Sequence, residues 1–244
     1  MIIIKNIQRI GDIMNLKKIL TLTLFVIFLI PQTSFAFSFK SKEAVTVQQP
    51  HASYPQKYDE IYLEQLKKEY KKISNDEVIL VALDMMKNTN ADFSRRAIIG
   101  YNLTEKPVKI QFKDLGAIKE DYANFDALGW KKKNNLYIYI NPRHADAPPA
   151  ALAALLAHEA LHQDEFNSLA EETYAWTMEA AVWCEMLEIY PESNNVQHPL
   201  LQRENTLKQL FIKGGYTNKY IKKTVYSNKG YQNLPQTSPG FERL

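Results

Sequence analysis

The sequence predicts a single α+β domain that is mostly helical and carries a small antiparallel sheet. In most segments apolar residues recur every three or four positions, which is typical of helices, whereas in the middle of the chain they alternate with polar residues, which is typical of strands. A third observation is the stretch Ala150–Ala157, which contains only Ala and Leu. Because both residues favour helices and leave no polar face, we expect a buried helix there.

Residues 1–36 have the features of an export signal. Lys17 and Lys18 precede the apolar run Ile19–Ile30, and Ser34–Ala36 places small residues at a cleavage position. The run is 12 residues long, which is short for a membrane span, so we expect cleavage, with retention as an anchor as the alternative. The mature protein is then expected to be secreted or periplasmic and to have no stable membrane span.

The charge of the chain is balanced once this segment is set aside. The first 36 residues hold four of the 30 basic and one of the 27 acidic residues, so 26 of each remain. A net charge of zero gives no reason to expect a nucleic-acid partner.

The remaining 208 residues suit one domain with its own hydrophobic core. Residues 37–58 are polar and lack periodicity, which predicts a flexible N-terminal arm. We expect the domain to span 59–215 and to be followed by a tail, 216–244, that is rich in Tyr and Lys. The single cysteine, Cys184, excludes an internal disulfide, so the core alone must stabilise the fold.

Three helices are expected before the strands. Apolar residues at helical spacing predict a surface helix with one buried stripe: Tyr62, Leu66, Tyr70 and Ile73. Ser74 and Glu77 match a capping box for a second helix that ends near Lys87. A short third helix, Asp92–Ile99, is closed by Gly100.

The middle of the chain predicts the sheet. Val108–Phe112 alternates apolar and polar residues, which indicates a half-buried strand. Ala127–Trp130 and Leu136–Ile140 flank a turn rich in Lys and Asn, and they predict a β-hairpin. We expect this small sheet to pack on the buried helix.

The Ala- and Leu-rich helix leads into an H-E-x-x-H pattern formed by His158, Glu159 and His162. Asp146 is the expected N-cap of this helix, and residues that favour helices continue to about Asp164. Residues four apart on a helix share a face, so His158 and His162 can occupy two corners of a tetrahedral zinc site. Glu159 can act as general base toward a water that the metal activates.

A second helix is expected to begin at Ser168 and to continue to Ile189. Ser168 and Glu171 match a capping box, in which the Glu171 side chain folds back to the Ser168 N–H. Glu172, one step further round, stays free to face the first helix, so we expect it to be the third zinc ligand, with Glu171 as the alternative. Two His and one carboxylate also suit non-haem iron, but a glutamate directly after the first His favours zinc.

This stretch resembles the gluzincins, which are zinc peptidases whose ligands are two His and one Glu. In that family one helix carries H-E-x-x-H and a following helix supplies the Glu, which often has Ala three residues later, as Glu172 has Ala175. The resemblance covers residues 150–176 and implies a zincin-like fold around the metal-binding helix. The sequence departs from the family at Trp176, where many members have an acid that orients a histidine. Glu179 is a candidate to replace that acid, with a solvated charge as the alternative.

The resemblance implies an exported zinc-dependent hydrolase, a metallopeptidase that cleaves amide bonds in a peptide or protein, a cell-wall peptide included. In zincins the strand ahead of the metal helix lies along the cleft, so an edge of the hairpin could pair with an extended peptide. An ordinary sheet that covers the helices is the alternative. Zinc peptidases commonly place a Tyr or His donor against the oxyanion, for which His198, Tyr216 and Tyr220 are candidates. A non-catalytic exported zinc-binding or envelope-associated protein, with a structural or degenerate site, is the alternative function.

Overall fold

The predicted combination of many helices and a small sheet is confirmed. The computed structural model describes residues 57–242, so the predicted leader and nearly all of the predicted arm lie outside the described residues. The helices within this range are α1 (Glu60–Glu69), α2 (Glu77–Met85), α3 (Asp92–Ile98), α4 (Pro149–Glu159), α5 (Leu169–Ile189), α6 (Pro199–Lys213) and α7 (Lys219–Ser227). The strands are β1 (Lys109–Phe112), β2 (Ala127–Lys132) and β3 (Asn135–Ile140). Among these residues no helix combines the length and the apolar character needed to cross a membrane.

The three strands form one mixed sheet in the order β1-β3-β2. β2 and β3 form the predicted antiparallel hairpin, with Gly129 opposite Ile138. β1 pairs in parallel with β3, with Ile110 opposite Ile138, so the prediction of a wholly antiparallel sheet was wrong. β1 lies on the side of β3 away from β2 and runs in the same direction as β3. The alternation of residues along a strand carries no information about this order.

The buried helix of the prediction is α4, which lies at the centre of the core. Every residue from Pro149 to Glu159 is buried, and Leu152 and Leu155 have no exposed surface. Complete burial of one such side chain contributes roughly 1.5–3 kcal/mol. This helix contacts α2, α3, α5, α6 and β2, so it is enclosed on several sides.

Two predicted helix starts were wrong. Asp146 does not cap α4, because Pro148 holds the N-cap position, and the Asp146 carboxylate lies 3.3 Å from His198 Nε2 instead. In α2 the N-cap position belongs to Asp76, two residues later than predicted. The helix begins later because Ser74 forms a local turn in which its Oγ accepts the Asp76 N–H at 3.2 Å.

The segment 216–244, which was predicted to be a tail, contains α7 and packs against α5 and α6. Ile221 and Val225 of α7 join a second apolar cluster with Leu207 and Phe211 of α6. Because the segment is rich in Tyr and Lys, it was not recognised as an amphipathic helix, although its buried apolar residues lie four apart. The residues after α7 also return to α5, where they contact the site described next.

Candidate metal centre

The two histidines meet at the end of α4, although they do not share one helix. The prediction of a helix up to Asp164 was wrong, because α4 ends at Glu159 and His162 lies just beyond it. The Leu161 N–H bonds the His158 carbonyl at 3.0 Å, and the His162 N–H bonds the Glu159 carbonyl at 3.3 Å. These bonds span three residues, so the last turn is tightened into a 3₁₀ turn before the chain reverses toward α5. The imidazole rings remain neighbours, with centroids 5.3 Å apart.

Glu172 completes the group from the first turn of α5. One of its carboxylate oxygens lies 3.8 Å from His158 Nε2, and the other lies 3.8 Å from His162 Nε2. One possible ligand atom from each of these side chains fits within a span of 4.8 Å. Ligand atoms in a tetrahedral zinc site stand about 3.3 Å apart. Small side-chain rotations would therefore bring these three groups into coordinating positions.

The Glu172 carboxylate is short of hydrogen-bond donors. Asn167 Nδ2 donates to Oε1 at 2.5 Å, whereas Oε2 is buried and has no hydrogen-bond partner among the described residues. An unsatisfied buried carboxylate oxygen costs free energy, and a cation between it and the two histidines would remove that cost. The donor set of two imidazoles and one carboxylate therefore fits a zinc ion.

Ser168 caps α5 as predicted, but only half of the capping box forms. Ser168 Oγ accepts the Glu171 N–H at 3.1 Å, while the Ser168 N–H donates to Asn167 Oδ1 at 2.7 Å. The expectation that Glu171 folds back onto Ser168 was therefore wrong. Glu171 Oε1 lies 3.0 Å from His162 Nδ1 instead, so both neighbouring glutamates face the histidines. Glu172 faces Nε2 of that imidazole, and Glu171 holds its other nitrogen.

Glu179 makes the corresponding contact with the other histidine. Its Oε2 lies 2.8 Å from His158 Nδ1, and the side chain is completely buried, so the alternative of a solvated charge was wrong. It lies on α5 about one turn beyond Trp176. With a carboxylate on each Nδ1, both imidazoles present Nε2 to the position that a metal would occupy.

Arg203 of α6 balances the buried charge of Glu179. Its Nη2 donates to Glu179 Oε2 at 2.8 Å, and its Nη1 bonds the other carboxylate oxygen. Arg203 Nε also lies 3.2 Å from Asp126, which contacts Arg143 at 2.6 Å and His144 at 2.7 Å. Burial raises the pKa of Asp126, but these neighbours outweigh burial and hold the pKa well below its ordinary range. Sequence reasoning missed Arg203 and Asp126, which no local pattern marks.

Glu159 lies beside the cluster and is almost enclosed. Its Oε1 is 3.9 Å from His158 Nε2, the residue is 6% exposed, and burial raises the pKa of its carboxyl group. Burial lowers the pKa of His162, but the hydrogen bond that His162 donates to Glu171 and the charges of Glu172 and Glu159 outweigh burial and raise that pKa to about 9. A bound metal would therefore displace a proton from His162.

β2 contacts this site through Gly129, where a side chain has no room. A Cβ added there would lie 2.8 Å from His162 Cβ and 3.2 Å from the Glu159 carbonyl oxygen. We expect Gly129→Ala to displace β2 from the site and to lower the free energy of unfolding by about 1–3 kcal/mol. Urea denaturation of the metal-free protein measures this loss. Gly230→Ala is the control, because a Cβ there would meet one side-chain oxygen, that of Asn228, at 3.3 Å. An equally small effect of both changes would contradict the close contact at Gly129.

The three predicted oxyanion donors have other contacts. His198 caps α6 by accepting the Leu200 N–H at 3.0 Å, and its Nε2 faces Asp146. Tyr216 is 55% exposed and packs edge-on against an α6 phenylalanine. Tyr220 lies under the ammonium groups of three lysines.

Tyr231 lies close enough to Glu172 to interact with its carboxylate, and sequence reasoning missed this tyrosine. Its hydroxyl accepts the Trp176 Nε1–H at 3.3 Å. Burial and the charge of Glu172 raise the pKa of this hydroxyl well above its ordinary value. Tyrosines are frequent in this part of the chain, so composition offered no way to single out this one.

Comparison with protein-family models, with curated proteins and with solved structures finds no match to this chain.

Proposed function

We propose that this protein is an exported zinc-dependent hydrolase of the metallopeptidase type. The observation that carries the proposal is the convergence of two imidazoles, each held at Nδ1 by a carboxylate, on the buried Glu172 carboxylate. One oxygen of this carboxylate, the one that faces His158, has no hydrogen-bond partner among the described residues. Glu159 stands next to this group, where a general base is needed. The zincin-like fold implied by the gluzincin resemblance belongs to the same proposal.

The residues that would hold the metal are His158, His162 and Glu172. A zinc ion bound there would polarise a substrate carbonyl and activate a water by lowering its pKa toward about 7. Ferrous iron also uses two His and one carboxylate, but such sites need no base directly after the first His. The presence of Glu159 therefore favours zinc.

Glu159 is the residue that moves the proton. Its carboxylate would accept a proton from the attacking water and then donate it to the leaving amine. The side chain is almost fully enclosed, which limits competition from bulk water. Meanwhile Glu171 and Glu179 keep the two imidazoles in one tautomer and orientation.

β2 offers a binding edge for an extended substrate. It is an edge strand of the sheet, and the Asp126 carbonyl accepts the Asn141 N–H at 2.9 Å. Successive residues of an antiparallel strand direct their backbone N–H and C=O groups alternately toward the partner strand and away from it. Asp126 bonds toward β3, so the backbone groups that point to the open edge of β2 are those of Ala127, Gly129 and Lys131. A peptide paired with this edge would pass beside the site, since Gly129 packs on His162.

The proposed partner is accordingly a peptide or protein, and a cell-wall peptide is one member of that class. The export signal that the sequence predicts would place the enzyme in the periplasm or outside the cell. The balanced charge of the remaining chain gives no support for a nucleic-acid partner.

The depth of the cluster favours one alternative function. His158 and Glu172 are each 4% exposed, and enclosed zinc sites are typical of structural roles. In that case the protein would be an exported zinc-binding or envelope-associated protein without catalysis.

Hydrolysis of a peptide library by the zinc-loaded protein separates the two functions. The proposal expects cleavage that stops when a chelator removes the metal and returns when zinc is restored. One zinc per chain without any cleavage would favour the non-catalytic alternative.

A further inference from the structure

The residues after α7 form a strap across the first turn of α5. The C-terminal strap (residues 229–242) runs back along the helix, and the carbonyls of Pro235 and Gln236 accept the N–H groups of Leu169 at 2.9 Å and Ala170 at 3.1 Å. The first N–H groups of a helix have no partner within the helix, so these bonds complete the capping that the N-cap serine begins. The strap thus holds the turn that carries both site glutamates.

Ser238 of the strap reaches the site itself. Its hydroxyl donates to Glu171 Oε2 at 2.8 Å and lies 2.9 Å from Ser168 Oγ, and Ser238 is 6% exposed. A serine hydroxyl has one proton, so Ser238 gives its proton to Glu171 and accepts the proton of Ser168. The other Glu171 oxygen faces His162 Nδ1. A chain of ordered hydrogen bonds therefore leads from the strap to one histidine.

The two histidines are supported in parallel ways. Arg203 holds the carboxylate of Glu179, which faces His158. Ser238 holds the carboxylate of Glu171, which faces His162. The first support comes from α6 and the second from the strap, so each imidazole depends on a different part of the chain.

Aromatic side chains fix the strap at both ends. Tyr231 packs edge-on against Trp176, with ring centroids 6.1 Å apart. Phe241 is buried and packs against Tyr174, with centroids 5.9 Å apart. Both partners lie on α5, so Ser238 is carried between two contacts with the helix that it supports. This arrangement leaves the serine little freedom to move away from Glu171.

We propose that the C-terminal strap is a positioning element of the metal centre and that Ser238 is a positioning residue, which orients His162 through Glu171. This inference rests on the proposed zinc site, but it concerns metal affinity and not hydrolysis. Residues that orient a metal ligand typically change metal affinity by about 10–100-fold when they are removed.

The test is the zinc dissociation constant of the full chain, measured by competition with a chromophoric chelator. Ser238→Ala is expected to raise the constant by about 10–100-fold and to alter the visible spectrum of the cobalt-substituted protein. Ser193→Ala removes another buried serine, in the turn after α5, and is expected to leave both unchanged. Circular dichroism confirms that each variant is folded.

A double-mutant cycle distinguishes positioning from general stabilisation. If Ser238 acts through Glu171, then Ser238→Ala has almost no further effect on zinc affinity in a Glu171→Ala background. Equal effects of Ser238→Ala in both backgrounds would overturn the inference. Should Ser238→Ala fail to fold, Ser238→Cys keeps the volume and substitutes a poor donor, and unchanged zinc affinity in that variant would also overturn it.

The outcomes separate this inference from the proposed function. If the wild-type protein binds no zinc, both the proposed role of the strap and the proposed function lose their basis. Wild-type protein that binds zinc, together with Ser238→Ala that binds it equally well, contradicts the role of the strap and leaves the zinc site intact.

Discussion

Glu159→Gln is expected to slow hydrolysis severely and to leave zinc bound. The glutamine side chain has the size of the glutamate side chain, but its amide cannot accept the proton of the attacking water. Zinc should stay bound because Glu159 is not one of the three proposed ligands. General bases contribute about 10²–10⁴-fold to the rate, so kcat should fall by that factor. Peptide hydrolysis and metal content per chain, measured on the same preparation, check both halves of the prediction.

Glu188→Gln provides the control, because Glu188 is an exposed glutamate at the far end of α5. It should retain the wild-type rate and the wild-type metal content. Full activity in Glu159→Gln would rule out the proposed mechanism. Loss of zinc from that variant would show that Glu159 supports the metal centre in a way that the geometry does not indicate.

The adjacent glutamates are expected to differ sharply in their effect on zinc. Glu172→Gln removes the carboxylate that faces both Nε2 atoms, so zinc binding should be lost at concentrations that saturate the wild type. Glu171→Gln removes only the group behind His162 and should weaken binding by about 10–100-fold. Each variant is therefore the control for the other, and chelator competition measures both.

The reverse order of effects would exchange the roles of the two residues. It would make Glu171 the ligand, which is the alternative that the sequence leaves open. Similar and small effects of the two changes would mean that neither carboxylate binds the metal.

The features that could be predicted from the sequence are those encoded over a few residues. The run Ala150–Ala157 predicts a buried helix, and α4 is that helix. Alternating residues predict the hairpin of β2 and β3. The H-E-x-x-H spacing and the helix start at Ser168 pointed to the three side chains that the fold brings together. The reason for preferring Glu172, which was a Glu171 side chain folded back onto Ser168, was wrong.

The predictions that were wrong concern features that depend on where the helices and strands lie in three dimensions. β3 lies between β1 and β2, and strand periodicity does not contain that order. α4 ends at Glu159 because the chain must turn back to α5, although the next residues favour a helix. Glu171 matches a capping box, but His162 offers its carboxylate a partner that a local pattern cannot reveal.

The support around the histidines was the least predictable part of the site. Arg203 and Ser238 come from α6 and from the C-terminal strap, 24 and 67 residues away from the glutamates that they hold. Nothing in their immediate sequence distinguishes them from the other arginines and serines of the chain. Their role follows only from the packing of these segments on α5.

The metal content of the purified protein tests the central claim most directly. Elemental analysis should find one zinc per wild-type chain and none in His158→Ala. His198→Asn, which alters a buried histidine outside the cluster and substitutes another good N-cap residue, should keep the zinc. Wild-type protein without metal, even after zinc has been supplied and the excess removed, would mean that the H-E-x-x-H pattern is a structural coincidence.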